Sequence, residues 1–221
     1  MVAGPLNREE YNFKEDIKMK YNGAVCKKCR TLNEKLFLKG NKCFSNCTIE
    51  KREKTGRQKK MSDYGKHLRE KQIAKFSYLM NEEQFKRFFN IASKAKGRTG
   101  ETMMKLLELR LDNIVRRAGF STSIRMARQL IGHGNVKVNG KVVKIPSYIL
   151  KEEDEISLKN DLLLENLYVK QSLENAERLG SRPSYITYDP QKKSAKLSRI
   201  PERAELSTKI NEQLIVEFYS K

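Results

Sequence analysis

The chain has 221 residues, with 46 Lys plus Arg against 27 Asp plus Glu, a net charge of +19. That length allows one large domain or two smaller ones with real cores. The charge selects polyanionic partners, nucleic acid or an acidic membrane face, and says little about fold. Gly (12) and Pro (5) are too scarce for a low-complexity chain, and no internal repeat of fixed period is visible. No run approaches the ~18 apolar residues of a membrane span. The opening MVAGPLNREEYNFKEDIKMK lacks the apolar core of a secretory signal. The expected setting is therefore soluble and intracellular, where disulfides are rare and clustered cysteines point to metal or catalysis.

All four cysteines lie between Cys26 and Cys47, as Cys26-x2-Cys29-x13-Cys43-x3-Cys47. Two close pairs separated by a loop suit four thiolates on one tetrahedral Zn²⁺, with Leu36, Phe37 and Leu38 as a small apolar cover. Four protein ligands fill the site, which favours a structural zinc over a catalytic one. A Cys₄ iron–sulfur cluster and four independent thiols are the alternatives. Lys27, Lys28, Arg30 and Lys42 are expected to lower the thiol pKa values and offset the charge of the zinc–thiolate group. KREKTGRQKK (51–60) follows, with six basic residues and one acidic, and reads as a polyanion contact.

Ser62 and Asp63 open a predicted helix with Tyr64, Leu68 and Phe76 along one face and Lys66, Arg69 and Lys71 off it. Asn81 and Gln84 form a capping-box pattern before a second helix, whose stripe of Phe85, Phe88, Phe89 and Ala92 is core and which stops at Gly97. Met104, Leu107, Leu111, Ile114 and Val115 keep helical spacing up to Gly119. Ser123 then caps a short helix with Ile124, Ala127, Leu130 and Ile131 inward, and Arg125 and Arg128 sharing another face. At VKVNGKVV the period changes to two, with Asn139-Gly140 as a hairpin turn. IPSYIL (145–150) and DEISL (154–158) are read as further strands, joined by an acidic turn. A helix is expected near Leu162 to Leu179, and the terminal EQLIVEFYS is read as a β-rich strand docking on an earlier element.

Charge sorts along this region. Residues 93–144 hold 12 basic and 3 acidic side chains, and residues 150–166 hold 2 basic and 6 acidic. An α-then-β module with a basic helical end and an acidic far edge suits phosphates and RNA shape.

RLDNIVRRAGFSTSIRMARQLIGHGNVKVNGKVVKIPSYIL (110–150) resembles the RNA-binding module of the bacterial-type small-subunit ribosomal protein S-four. The likeness extends to SDYGKHLREKQ, EEQFKRFF, KGRTGETMMKLLELRLDN and the final INEQLIVEFYSK, and the cysteines suit the zinc-bearing branch of that family. The resemblance implies an α+β fold. A variable tail (1–23) precedes a mainly helical domain with a zinc clasp (24–109). An inserted RNA-binding module follows (110–171), with two short helices on a small antiparallel sheet. A C-terminal segment (172–221) returns a strand to the first domain. The resemblance also implies early binding to the 5′ domain of small-subunit rRNA, nucleation of assembly, and contact with the ribosomal protein S-five that bears on translational accuracy. It places Arg57 and Lys60, with Lys59 a plausible addition, beside the channel through which mRNA enters. The setting implied is a bacterial cytoplasmic ribosome, with an organellar ribosome as the alternative. Residues 1–20 match nothing in the family, the Pro-Gly-Gln-His run before SDYG is missing, and the last cysteine gap is one residue short.

The RNA-binding candidates are Arg57, Lys59, Lys60, Arg69, Lys71, Lys94, Lys96, Arg98, Arg110, Arg116, Arg117, Arg125, Arg128, Lys137 and Asn139. The metal candidates are Cys26, Cys29, Cys43 and Cys47. No membrane and no small-molecule substrate is expected. An RNA-modifying enzyme would need a separate catalytic domain for which no stretch is left. His67 and His133 have no nucleophile-plus-acid arrangement, and there is no Gly-rich phosphate loop. A stand-alone RNA chaperone would lack the cysteine module and the C-terminal strand.

Overall fold

The computed structural model describes residues 21, 23–51, 61–178, 182–206 and 210–220. The tail and Arg57, Lys59 and Lys60 lie outside these. The chain divides into two compact units, one from Lys105–Leu206 and one from Met19–Met104 with Ser207–Lys221.

The second unit is helical: α1 (Val25–Leu32), α2 (Lys42–Ser45), α3 (Asp63–Ser77), α4 (Glu82–Lys94), the start of α5 (Thr99–Glu108) and α10 (Glu212–Ser220). Ser62 caps α3 by accepting from the Gly65 N–H at 3.2 Å. Asn81 sits at the N-cap of α4 without a side-chain cap bond, so the expected capping box does not form; Gln84 is buried instead. Of the expected α4 stripe, Phe85, Phe88 and Ala92 are core and all but inaccessible, while Phe89 is half-buried.

EQLIVEFYS is a helix and not the expected strand. Glu212 lies in its first turn and the Asn211 side chain accepts from the Gln213 N–H at 3.1 Å. Leu214, Ile215 and Phe218 recur at helical rather than alternating spacing. Ile215 is fully buried, and α10 lies against α3 and α4, where Phe218 meets Tyr64 (5.7 Å between ring centroids) and Tyr219 meets Phe89 (4.7 Å). Gly100 permits the approach, since a Cβ there would fall 2.9 Å from Glu212 Cβ.

The other unit joins α6 (Leu111–Arg117) and α7 (Ile124–Gly132) to a five-stranded antiparallel sheet of order β2-β1-β3-β5-β4. Its strands are β1 (Val136–Val138), β2 (Lys141–Val142), β3 (Glu155–Leu158), β4 (Ile186–Asp189) and β5 (Ser194–Leu197). Asn139 and Gly140 both take positive φ (49° and 77°), as the two-residue hairpin requires. Ser123 caps α7 through the Met126 N–H. The core combines Ile114, Val115, Ala127 and Ile131 from the helices with Val136, Ile156, Ala195 and Leu197 from the sheet.

Three expectations change here. The predicted helix through Leu111 breaks at Arg110, which is extended and bridges Ile149. IPSYIL is therefore a turn with one bridge, not a strand. Pro146 has no N–H for a ladder, and the Pro146 and Tyr148 carbonyls instead accept the Asp112 (3.1 Å) and Leu111 (2.8 Å) N–H groups that open α6. Finally, residues 172–206 do not return to the helical unit. Strand β5 pairs with β3, so the crossing back comes with residues 207–221. The helix expected from Leu162 is present as α8 (Leu162–Glu165) and α9 (Leu167–Arg178), separated at Asn166.

Candidate nucleic-acid interface

The basic candidates fall into two groups, buried and exposed. Arg110 is 2% exposed, so it cannot clamp a phosphate. Its Nε and Nη2 donate to the two carboxylate oxygens of Asp112 at 3.1 and 3.0 Å, and Arg128 Nε adds 2.7 Å to the same carboxylate. Burial works against the charge on Asp112, yet the charges of Arg110 and then Arg128 outweigh it and hold the pKa below the usual carboxylate range. Arg128 thus faces inward to pin α7 to α6, while Arg125 is exposed. Arg117 donates to Glu108, itself fully buried, at 2.7 Å, and Arg116 to Asn113 at 3.1 Å, with both arginines half-buried.

The helical pattern predicts Lys71 off the buried face of α3, yet it is buried. It donates to Glu82 at 2.6 Å and lies 4.4 Å from the Phe218 ring centroid, while Lys75 takes the other Glu82 oxygen at 2.7 Å. Desolvation pushes the Glu82 pKa up, but hydrogen bonds from Lys71, Lys75 and Tyr219 prevail and lower it to about 2. Arg69 donates to the Leu32 carbonyl at 3.0 Å and so ties α3 to α1. Asn139 is also committed, donating to Asp154 at 2.7 Å and accepting from the Glu155 N–H at 2.9 Å. Arg110 and Lys71 are buried framework groups, which corrects their assignment as RNA ligands; Arg69 stays half-buried and Asn139 exposed while making these bonds. His67 is structural too, bridging the Asp63 carbonyl and Glu217, each at 2.7 Å.

What remains at the surface is coherent within each unit. Lys94, Lys96 and Arg98 are exposed where α4 gives way to α5. In the sheet unit Arg125 is exposed and Lys137 half-buried. Lys141 and Lys144, passed over in the sequence, are exposed on the same hairpin segment, with the Lys144 stem against Gly134 at the end of α7. Their proximity to the NG turn was the available signal.

Cys29, Cys43 and Cys47 are buried and Cys26 is half-buried, all four as free thiols. The Lys39 N–H donates to Cys43 Sγ at 3.3 Å. Burial raises the Cys29 and Cys43 pKa values, and charge on the other cysteines adds to this. At Cys29 and Cys43 the expected net lowering by Lys27, Lys28, Arg30 and Lys42 is not seen, because burial dominates; the charge of Lys35 acts to lower the Cys43 value. By chemistry alone four thiols are a donor set for a thiophilic metal, and they lie near enough to sense one another, but their arrangement is not that of a metal site. Among the described residues, no group of three or more His, Cys, Asp or Glu side chains is arranged to hold a metal ion.

A helical unit and an α-then-β module, each with exposed cations, suit a protein that binds a polyanion such as RNA. The sequence matches the "Ribosomal protein S4/S9 N-terminal domain" over residues 20–108 and the "S4 domain" over residues 109–156. It is 44% identical to the small ribosomal subunit protein uS4 of Endomicrobium trichonymphae, over 91% of this chain and 99% of that protein. It is 46% identical to uS4 of Dictyoglomus turgidum, again over 91% and 99%, and 42% to uS4 of Dehalococcoides mccartyi, over 90% and 98%. The chain belongs to the uS4 family of small ribosomal subunit proteins.

Proposed function

We propose that this chain is a structural, non-enzymatic constituent of the small ribosomal subunit that binds small-subunit rRNA. The observation that carries this is identity of 42–46% to uS4 proteins along nine-tenths of the chain. The exposed cations Lys94, Lys96, Arg98, Arg125, Lys141 and Lys144, with half-buried Lys137, supply phosphate contacts. Half-buried Arg116 and Arg117 keep an outer edge at the surface and add to them. Among the described residues no helix is long and apolar enough to cross a membrane.

The finer reading follows the family resemblance. The protein nucleates assembly on the 5′ domain of the rRNA. Arg57, Lys60 and Lys59 line the channel that admits mRNA, and the protein S-five is a neighbour through which accuracy is set. The ribosome is that of a bacterial cytoplasm, with an organelle as the alternative. Cys26, Cys29, Cys43 and Cys47 hold a structural Zn²⁺, whose binding supplies folding energy to a basic segment too small to order itself. Cysteine ligands bind as thiolates, so metal binding releases protons and metal retention weakens as pH falls.

Binding of the purified chain to a 5′-domain transcript tests this reading, since counterion release makes affinity fall steeply from ~50 to ~200 mM salt. Flat binding over that range contradicts it. Metal analysis of the same sample reports on zinc, and a Cys26→Ser/Cys43→Ser variant is expected to lose both metal and the order of residues 23–51.

A further inference from the structure

Residues 23–51 carry seven Lys or Arg and two Glu. Within them, α2 places Cys43 inward, with Cys47 four residues on also buried. The residue after Cys43 is turned by about 100° from that face, which points Phe44 outward; it is 62% exposed. A phenyl ring so exposed covers little of the cysteine cluster. Its ring lies 5.2 Å from that of Phe37, at an interplanar angle of 35°. Phe37 is held at φ +50°, a left-handed conformation that bulky residues rarely adopt. Lys35, paired with Glu50 at 2.5 Å, lies 5.2 Å from the Phe37 ring centroid. Lys39 and Lys42, on either side of the Gly40 turn, are exposed. The result is an outward ring, paired with a second aromatic held in a left-handed backbone and carried on a segment whose Lys39 and Lys42 are exposed.

We propose that Phe44 is a base-stacking site, taking the face of one unpaired RNA base while Lys39 and Lys42 contact the flanking phosphates. The inference rests on the reading of the chain as an rRNA-binding protein. The local charge selects the ligand: a cation-rich segment around an exposed ring suits a nucleobase with its phosphates and repels a basic protein segment. Stacking on aromatic side chains is also how single-stranded RNA is commonly held. The contrast lies in the same chain. Leu162, Leu167 and Tyr168 are as exposed as Phe44, but their setting is less basic, with Asp161, Glu165 and Glu174 against Lys170 and the Lys193 that pairs with Asp161.

Because the chain has no tryptophan, Phe44→Trp makes a single fluorescent reporter at an exposed position. Titration with a 5′-domain rRNA transcript is expected to quench its emission in step with binding measured by filter retention. A Tyr168→Trp chain bound to the same transcript is expected to keep its emission. Phe44→Ala is expected to weaken binding about tenfold at unchanged salt slope, and Phe44→Tyr to bind as the parent does. Three results overturn the stacking site and leave the rRNA reading intact: unquenched emission from the Phe44→Trp chain while RNA is bound, equal quenching of both reporters, or parental affinity in Phe44→Ala. Absence of RNA binding by the parent chain overturns both.

Discussion

The Arg110–Asp112–Arg128 cluster and the Lys94–Lys96–Arg98 junction look alike in sequence: each is a dense group of cations in a basic chain. In the folded protein they are opposites. The first is buried around a single carboxylate and holds α6 and α7 together. The second is exposed and available to a polyanion. Net charge therefore overstates the interface, because part of it neutralises buried carboxylates at Asp112 and Glu108 and the half-exposed one at Glu82.

The sharpest way to break this contrast is Asp112→Ala, which strands two guanidinium groups in the core. A destabilisation of about 3–5 kcal/mol is expected by chemical denaturation, with RNA affinity falling only as the fold fails. Glu82→Gln is the intermediate case. Lys71 and Lys75 are buried beneath it, but the carboxylate is 44% exposed, so solvent screening trims the effect to about 1 kcal/mol. The acid limb sharpens the point. A carboxyl lowered from 4.5 to about 2 adds stability that is complete above pH 4.5 and is lost as pH falls toward 2. Glu82→Gln is expected to flatten that part of the stability profile, leaving the share due to Asp112 and to Glu205, which Arg199 and Ser184 also hold near 2. The smallest stability effect belongs to the triple Lys94→Ala/Lys96→Ala/Arg98→Ala variant. Its stability is expected to stay within about 0.5 kcal/mol of the parent. The salt slope of its RNA binding is expected to become shallower by about one unit for each phosphate it no longer neutralises. A destabilised triple variant with an unchanged slope would reverse the roles of the two regions.

Much of the fold was legible because local signals agreed with the tertiary outcome. Ser62 and Ser123 cap their helices, Asn139-Gly140 turns its hairpin, and Phe85 and Phe88 of α4 are core. Reading failed where distant contacts decided. The apolar run at the C-terminus suits a strand or a helix, and burial of Ile215 against the helical unit selects the helix. Arg110 continues a helical pattern, but pairing with Ile149 straightens it. The site was less legible than the fold for the same reason. Sequence gives the position of an arginine but not that of the group it meets. Arg110, Lys71 and Arg69 look identical to Lys94 until Asp112, Glu82 and the Leu32 carbonyl are placed around them.

The central claim is that this chain is a resident part of the small ribosomal subunit. Sedimentation of subunits from cells expressing the chain at native level, followed by a salt wash and quantitative mass spectrometry, tests it most directly. Stoichiometric retention with the washed small subunit is the predicted result. Release of the chain into the wash, or its recovery only in free fractions, would contradict the assignment.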